Sequence, residues 1–355
     1  MSRFGRELVN FNIKTIGYRN PEFPTLGIVI ANTLNCLLGT GEEYSLDNKE
    51  NIAEEICYGM TMSAVSVNYE TEKRKYIHRD YLNIEESVKS LITDVTDGAI
   101  LVINSAEGIT SEIREQVELA RQVGITYLAV FVDNCDLIED YDVLETLRSE
   151  ICELLDMCGY CGDDAVIVCG SAKATLEEPE SEWGEKLLEL MEEIDYSIPD
   201  PERDIDKPFL MAVEDVFSVT GRGTVATGRV ETGIIKLNSR VKFVGFGINN
   251  KTAVVTGIEM FRKLMDTAEA GDNIGLLLRG VDRTEVKTGH VLVTVGMHKD
   301  SGKFKAVVYF SDAKTLEQMA DREEMDFGIR TVLLRGAIYV SKESVNSSGQ
   351  YAQVQ

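Results

Sequence analysis

Apolar residues in the first 198 positions follow two alternating rhythms. Short β-branched runs occur at NIKTIG (12–17), SAVSVNYET (63–71), RKYIHRD (74–80), GAILVINS (98–105), YLAVFVDN (127–134) and AVIVCGSA (165–172). Helix-length patterns lie between or after them, at 25–38, 83–93, 111–123, 141–157 and 182–194. Short strands spaced by helical patterns of this length form βαβ units, so a mostly parallel sheet is predicted. Only a short polar turn separates 63–71 from 74–80, which predicts one antiparallel hairpin at a sheet edge.

The rhythm changes after SIPDPERDIDKPF. Three prolines and many charges in that stretch, 197–209, mark a linker at residues 199–207. Residues 208–296 are rich in Val, Thr and Gly, with short strands and frequent turns, the pattern of a small antiparallel barrel. Residues 297–340 carry a few further strands, in KFKAVVYF and MDFGIRTVLLRGAIYV, around the charged stretch SDAKTLEQMADREE. The tail 341–355 is polar, and disorder is expected there.

Charge adds a constraint. The 355 residues carry a net charge of −24. The chain as a whole is therefore unsuited to DNA or to an anionic membrane surface. The acidity is uneven: 208–296 holds eleven Lys and Arg against nine Asp and Glu. That module tolerates an anionic partner. No run has the length of a membrane span, and MSRFGRELVNF lacks the apolar centre of a secretory signal. Seven cysteines suggest reduced thiols, and a cytoplasmic location is expected.

Residues 17–24, GYRNPEFP, sit between a strand and an apolar helix, where a nucleotide-binding α/β protein places its phosphate loop. The loop pattern G-x-x-x-x-G-K-[ST] supplies inward amides, a cation and a Mg²⁺-binding hydroxyl. Gly17 is present, but Glu22, Phe23 and Pro24 stand at the Gly, Lys and Ser/Thr positions. A carboxylate about 4 Å from a phosphate charge repels it by roughly 4 kcal/mol at an effective dielectric of 20. Two prolines remove further N–H donors. Arg19 is the one nearby cation, and one flexible side chain does not rebuild an amide cradle. Pro24 suits a helix's first turn and Phe23 can pack.

Longer strings point to a family. DKPFLMAVEDVFSVTGRGTVATGRVETGIIK, GIEMFRKLMD and GDNIGLLLRG, with DGAILVINSAEG, RQVGITYLAVFVDNCDLIED and GDDAVIVCGSA, resemble elongation factor Tu, the translational GTPase that carries aminoacyl-tRNA. The resemblance spans the chain, weakening in the third region. It implies an α/β P-loop-type G domain (1–198), an antiparallel β-barrel (208–296), and a shortened, partial second β-barrel.

The resemblance also implies site residues. Gly17, Thr61, Asp80, Asp136, Ser171 and Ala172 match parts of the guanine-nucleotide site, Thr61 and Asp80 on its Mg²⁺ side. The family's D-x-P-G-H reads Asp80-Tyr81-Leu82-Asn83-Ile84, so Ile84 stands where the His orients water and offers no proton. His78 reads as structural. N-K-x-D reads Asp133-Asn134-Cys135-Asp136. Asp136 keeps its acceptors; Asp133 cannot donate when ionised, and Asn134 lacks the Lys stem. For these base-side remnants, Ser171 and Ala172 included, ordinary loop capping is the favoured reading. In the second domain, Glu214, Asp215, Phe217, Thr227, Glu259, Asn273 and Leu277 match the surface for the aminoacylated 3′ end of tRNA, with Arg222 in reach of a phosphate. Ser66 replaces the His that the first domain would add.

These features imply a translation-factor-like binding protein without hydrolysis by the family mechanism. Its expected partners are the aminoacyl-tRNA acceptor end, the ribosome or a protein that recognises the elongation factor. No cofactor is expected, or GTP/GDP with Mg²⁺ if the site still works. The alternatives are a GTPase with a rebuilt phosphate site, a copy without a role, and a redox-responsive scaffold. The last would use Cys158-Gly-Tyr-Cys161, a C-x-x-C needing a lowered thiol pKa; no second C-x-x-C or nearby His supports zinc.

Overall fold

The computed structural model describes residues 8–19, 25–40, 43–46, 52–57, 60–82, 87, 90–91, 96–219, 221, 223–246, 251–260, 263–297, 306–309, 323–329, 332–338 and 351–354. The chain divides into two compact units. One comprises residues 1–55 and 61–203, the other residues 56–60 and 204–355.

The first unit is built on seven strands: β1 (Val9–Gly17), β2 (Ile52–Cys57), β3 (Met60–Glu70), β4 (Arg74–Tyr81), β5 (Gly98–Asn104), β6 (Leu128–Asp133) and β7 (Ile167–Cys169). Their order is β2-β3-β4-β1-β5-β6-β7. From β4 to β7 every pairing is parallel, and β3 with β4 is the expected antiparallel hairpin. Strand β2 extends that edge and was not legible in the sequence. Among the described residues, five helices with both ends defined accompany the sheet: α1 (Leu26–Leu38), α2 (Ser111–Gln122), α3 (Tyr141–Met157), α4 (Ala172–Glu177) and α5 (Glu182–Ser197). Of the helical pattern expected at 83–93, residues 87, 90 and 91 are described, and they are helical.

Two apolar layers explain the sequence rhythm. Strand β5 is buried along its whole length, as a central parallel strand must be. Ile100 and Val102 pack with the apolar stripe of α1 and with Leu187, Leu190 and Met191 of α5. Ala99, Leu101 and Ile103 point the other way, into a layer with Val117 of α2 and Ile151 and Leu154 of α3. A strand's period of two thus feeds both faces from one run.

The linker expectation needs correction at its first half. Arg74, wholly buried, places its Nε 2.8 Å from Asp200 Oδ1 and donates to the carbonyls of Ile194 and Ile198. Arg203 grips Asp97 with both guanidinium nitrogens, at 2.8 and 2.6 Å. Charged partners distant in sequence hold this segment on the first unit, and the division falls between 203 and 204.

The barrel of the second unit closes. Strands β12 (Arg240–Val244), β17 (Val291–Thr294), β8 (Leu210–Ala212), β10 (Gly223–Thr232), β16 (Asn273–Arg279) and β13 (Thr252–Met260) pair in that order, and β13 pairs back onto β12. The ring therefore has six antiparallel strands. Met211, Ala226, Phe243, Val255, Ile258, Leu276 and Leu292 fill its interior. Strand β9 (Asp215–Val219) lies along β10, and β14 (Lys263–Met265) along β13. β11 (Ile234–Lys236) pairs with β15 (Thr267–Glu269).

Beyond the barrel, β18 (Ala306–Tyr309) pairs with β21 (Tyr351–Val354), and β19 (Glu323–Ile329) with β20 (Val332–Ile338). The disorder expected of the tail is thus overturned at 351–354. A short strand within a polar tail pairs its backbone with a distant strand, which local composition does not report.

Candidate functional site

At the end of β1, Gly17 has φ +93°, and a Cβ there would sit 2.3 Å from the Val102 carbonyl oxygen. Gln116 of α2 accepts the Gly17 N–H at 2.9 Å, and Tyr18 donates to Val102 O at 2.8 Å. Glycine is required here by the close pass over β5. Positions 20–24, with Glu22, Phe23 and Pro24, lie outside the described residues, as do Asn83 and Ile84. Thr61 is the second residue of β3.

Asp80 is 1% exposed. Its Oδ2 accepts the N–H of Gly27, in the first turn of α1, at 2.9 Å. Thr25, the N-cap residue, makes no side-chain cap bond of its own. A carboxylate from β4 therefore does the capping, at the helix end that in phosphate-binding folds faces the anion. Asp80 Oδ1 lies 3.3 Å from His78 Nε2. That ring also meets Thr15 Oγ1 at 2.8 Å and Tyr69 OH at 2.9 Å. Burial pushes the Asp80 carboxyl up. The His78 ring, the Arg19 charge and the Thr15 hydroxyl together outweigh burial and hold it well below the usual carboxylate range. Arg19 also donates to Thr15 O at 3.2 Å.

The base-side loops are occupied in a similar way. Asp133 Oδ1 accepts both the Asn134 N–H and the Ala172 N–H, each at 2.8 Å. Burial and the neighbouring Asp136 charge raise its pKa, against the pull of those two donors. Ser171 is fully buried and caps α4 by accepting the Ala174 N–H at 3.1 Å. Asn134 adopts φ +62°, and Asp136 is exposed in the short 3₁₀ turn Cys135–Leu137. The sequence left Asp133 as a lost donor; here it is the acceptor that ties the two loops.

The barrel gathers six of its eight candidates on one outer face. Strand register sets Phe217, Val225, Leu277 and Gly257 side by side across β9, β10, β16 and β13. The next row on the same face is Asp215, Thr227, Gly275 and Glu259, with Leu264 of β14 facing Glu259. Val216, Ala226, Ile258 and Leu276, which alternate with them, point inward. The face has glycine in its floor, exposed Phe217 and Leu264 at its sides, and carboxylates at one end. Asn273 continues it one row on, opposite Arg229. Glu214 stands off these rows, its backbone bonded to Thr227 and Thr288. Arg222 lies outside the described residues. Sequence reading missed Val225, Gly257, Gly275 and Leu264, which only strand register adds to the surface.

The C-x-x-C does not meet its condition. Cys158 ends α3 at the helix C-terminus, and burial with the Glu118 charge raises its thiol pKa. Cys161 bonds Asp164 Oδ2 at 3.2 Å.

A parallel-sheet α/β unit with these loops, followed by a closed six-stranded barrel, defines a G-protein-like translation factor. Residues 33–200 match the family model described as Elongation factor Tu GTP binding domain, and residues 223–293 that described as Elongation factor Tu domain 2. The chain belongs to the elongation factor Tu-like family of translational GTPases. The first match begins after residues 17–24. Among the described residues, no helix is long and apolar enough to cross a membrane.

Proposed function

We propose that this chain acts as a binding factor in translation, through the outer face of its barrel, and does not turn over GTP. The observation that carries the reading is the use of internal carboxylates as ligands for backbone donors. Asp80 takes the Gly27 N–H and Asp133 takes the Ala172 N–H. A triphosphate and a guanine would each meet a carboxylate where the fold offers an N–H. The residues present therefore fit GTP poorly, and Glu22 and Ile84 add to that from the sequence.

The barrel face suits an acceptor end that presents a base, a ribose and an esterified amino acid. Glu259 and Asp215 would receive hydroxyl and α-amino donors, and Phe217 and Leu277 would wall the apolar parts. Residues 133–200 carry twenty-one Asp and Glu against three Lys and Arg. That segment would repel a nucleic-acid backbone and leave the recognition to the barrel.

Calorimetric titration of nucleotide-free protein with GDP and with GTP, each with Mg²⁺, tests the first half. The expected result is no binding tighter than about 1 mM, about −4 kcal/mol. Micromolar affinity would overturn it. The second half is tested by binding of an aminoacylated acceptor-stem RNA against its deacylated form. Equal, weak binding of the two would refute the acceptor reading.

A further inference from the structure

We propose that Cys135 and Cys169 form a peroxide-oxidisable dithiol, in which a hydroperoxide oxidises Cys169 and Cys135 closes the disulfide onto it. The pair is built by tertiary structure. Cys169 ends β7 and pairs in register with Val132 of β6. Cys135 follows three residues later and donates its N–H to Gly170 O at 3.0 Å. The chain thus crosses back directly beside Cys169, and both side chains border the same apolar layer. Cys135 is buried, its Sγ 3.2 Å from Val132 O, whereas Cys169 is only half-buried. The less buried residue suits an attacking thiol and the shielded one beside it a resolving thiol.

The charges support the same assignment. Cys169 is pulled down to about 7, first by the Cys135 thiol and then by Arg148 of α3 and Lys186 of α5, against burial and the Glu189 charge. Arg148 is held near by donating to Ile167 O at 3.2 Å. Lys186 packs beside Gly170 and bonds Glu189 at 2.6 Å. Cys135 is pushed up by the same sulfur contact, then by burial and the Cys169 charge, so it keeps its proton. The C-x-x-C sulfur Cys158 is raised instead of lowered. The reactive pair is therefore the one the sequence spacing does not suggest.

The chemistry balances in two steps. The Cys169 thiolate attacks the peroxide O–O bond, giving the sulfenic acid and hydroxide, or alkoxide from an alkyl hydroperoxide. The Cys135 thiol then attacks the sulfenic sulfur, and its proton leaves with the hydroxyl group as water. Oxidation removes the negative charge on Cys169 that helped hold Cys135 protonated, so the first step primes the second. The product ties the turn after Asp133 to the strand before Ser171, the two loops Asp133 already bridges.

The test treats the reduced full-length chain with hydrogen peroxide, in the presence and absence of dimedone, then maps peptides by mass spectrometry. Expected are a linked 135–169 peptide pair from wild type, reversed by dithiothreitol, and a dimedone adduct on Cys169 in Cys135→Ser. Alkylation of Cys169 should reach half its plateau rate near pH 7. The proposal is overturned if Cys158 and Cys161 become linked while Cys135 and Cys169 stay free. It is equally overturned if the alkylation midpoint of Cys169 lies at or above the ordinary thiol value of about 8.5. The wild-type measurements need no substitution, so they decide the matter even where a serine variant folds poorly.

Discussion

Replacing Asp80 by Asn removes one charge and little else. The amide oxygen can still accept the Gly27 N–H, but the negative partner 3.3 Å from His78 is gone. Loss of a buried charged hydrogen-bond partner costs about 1.5–3 kcal/mol, and outright breakage of a buried pair about 3–5 kcal/mol. Asp80→Asn should therefore destabilise the first unit by about 2 kcal/mol at pH 7, and Asp80→Ala by about 4 kcal/mol. Trp183, the single tryptophan, packs against the α2–α3 layer, so its fluorescence in urea reports this unit. The pH dependence is a sharper test. The folded carboxyl sits below the ordinary Asp value of 3.8. Its contribution is complete above the unfolded value and is lost as pH falls through the folded one. The gap between wild type and Asp80→Asn should thus shrink as pH falls below about 4. A gap that stays constant to about pH 3, or an Asp80→Asn variant as stable as wild type, would refute the assignment of a charged internal cap.

Three further outcomes are expected. Gly17→Ala should lower stability by more than about 3 kcal/mol, because φ +93° and the Val102 carbonyl 2.3 Å from the added carbon cannot both be met; a variant melting with wild type would count against it. Arg203→Ala should cost about 3 kcal/mol in the same Trp183 urea assay, since it takes the cation from the Asp97 carboxylate, 6% exposed, and the neutral Asn12 donors do not replace that charge. Phe217→Ala, on the open barrel face, should leave urea midpoints unchanged while weakening binding of an aminoacylated acceptor stem about tenfold; unaltered affinity would remove Phe217 from that surface.

Much of the architecture follows from local pattern. Period-two runs and helix-length runs placed six sheet strands and four helices within a few residues, because alternation and amphipathicity are properties of neighbours in the chain. Strand β2, at the sheet edge, escaped that reading. So did β21, whose residues Tyr351–Val354 lie in a polar stretch that passes for a tail until β18 pairs with them. The gaps at Glu22, Phe23, Pro24 and Ile84 were also legible, since they are statements about residue type.

What the sequence by itself determined was which groups are present: a carboxylate at 80, another at 133, thiols at 135 and 169, and alternating outward residues on the barrel strands. Tertiary structure decided whom they meet. Asp80 finds an N–H 53 positions away, Asp133 one 39 positions away, and Arg203 closes on Asp97 across 106. Sheet register likewise aligns Asp215, Thr227 and Glu259 from three strands. A buried polar group must find a partner wherever packing delivers one, and that delivery is a property of the whole fold, which no local stretch of sequence encodes.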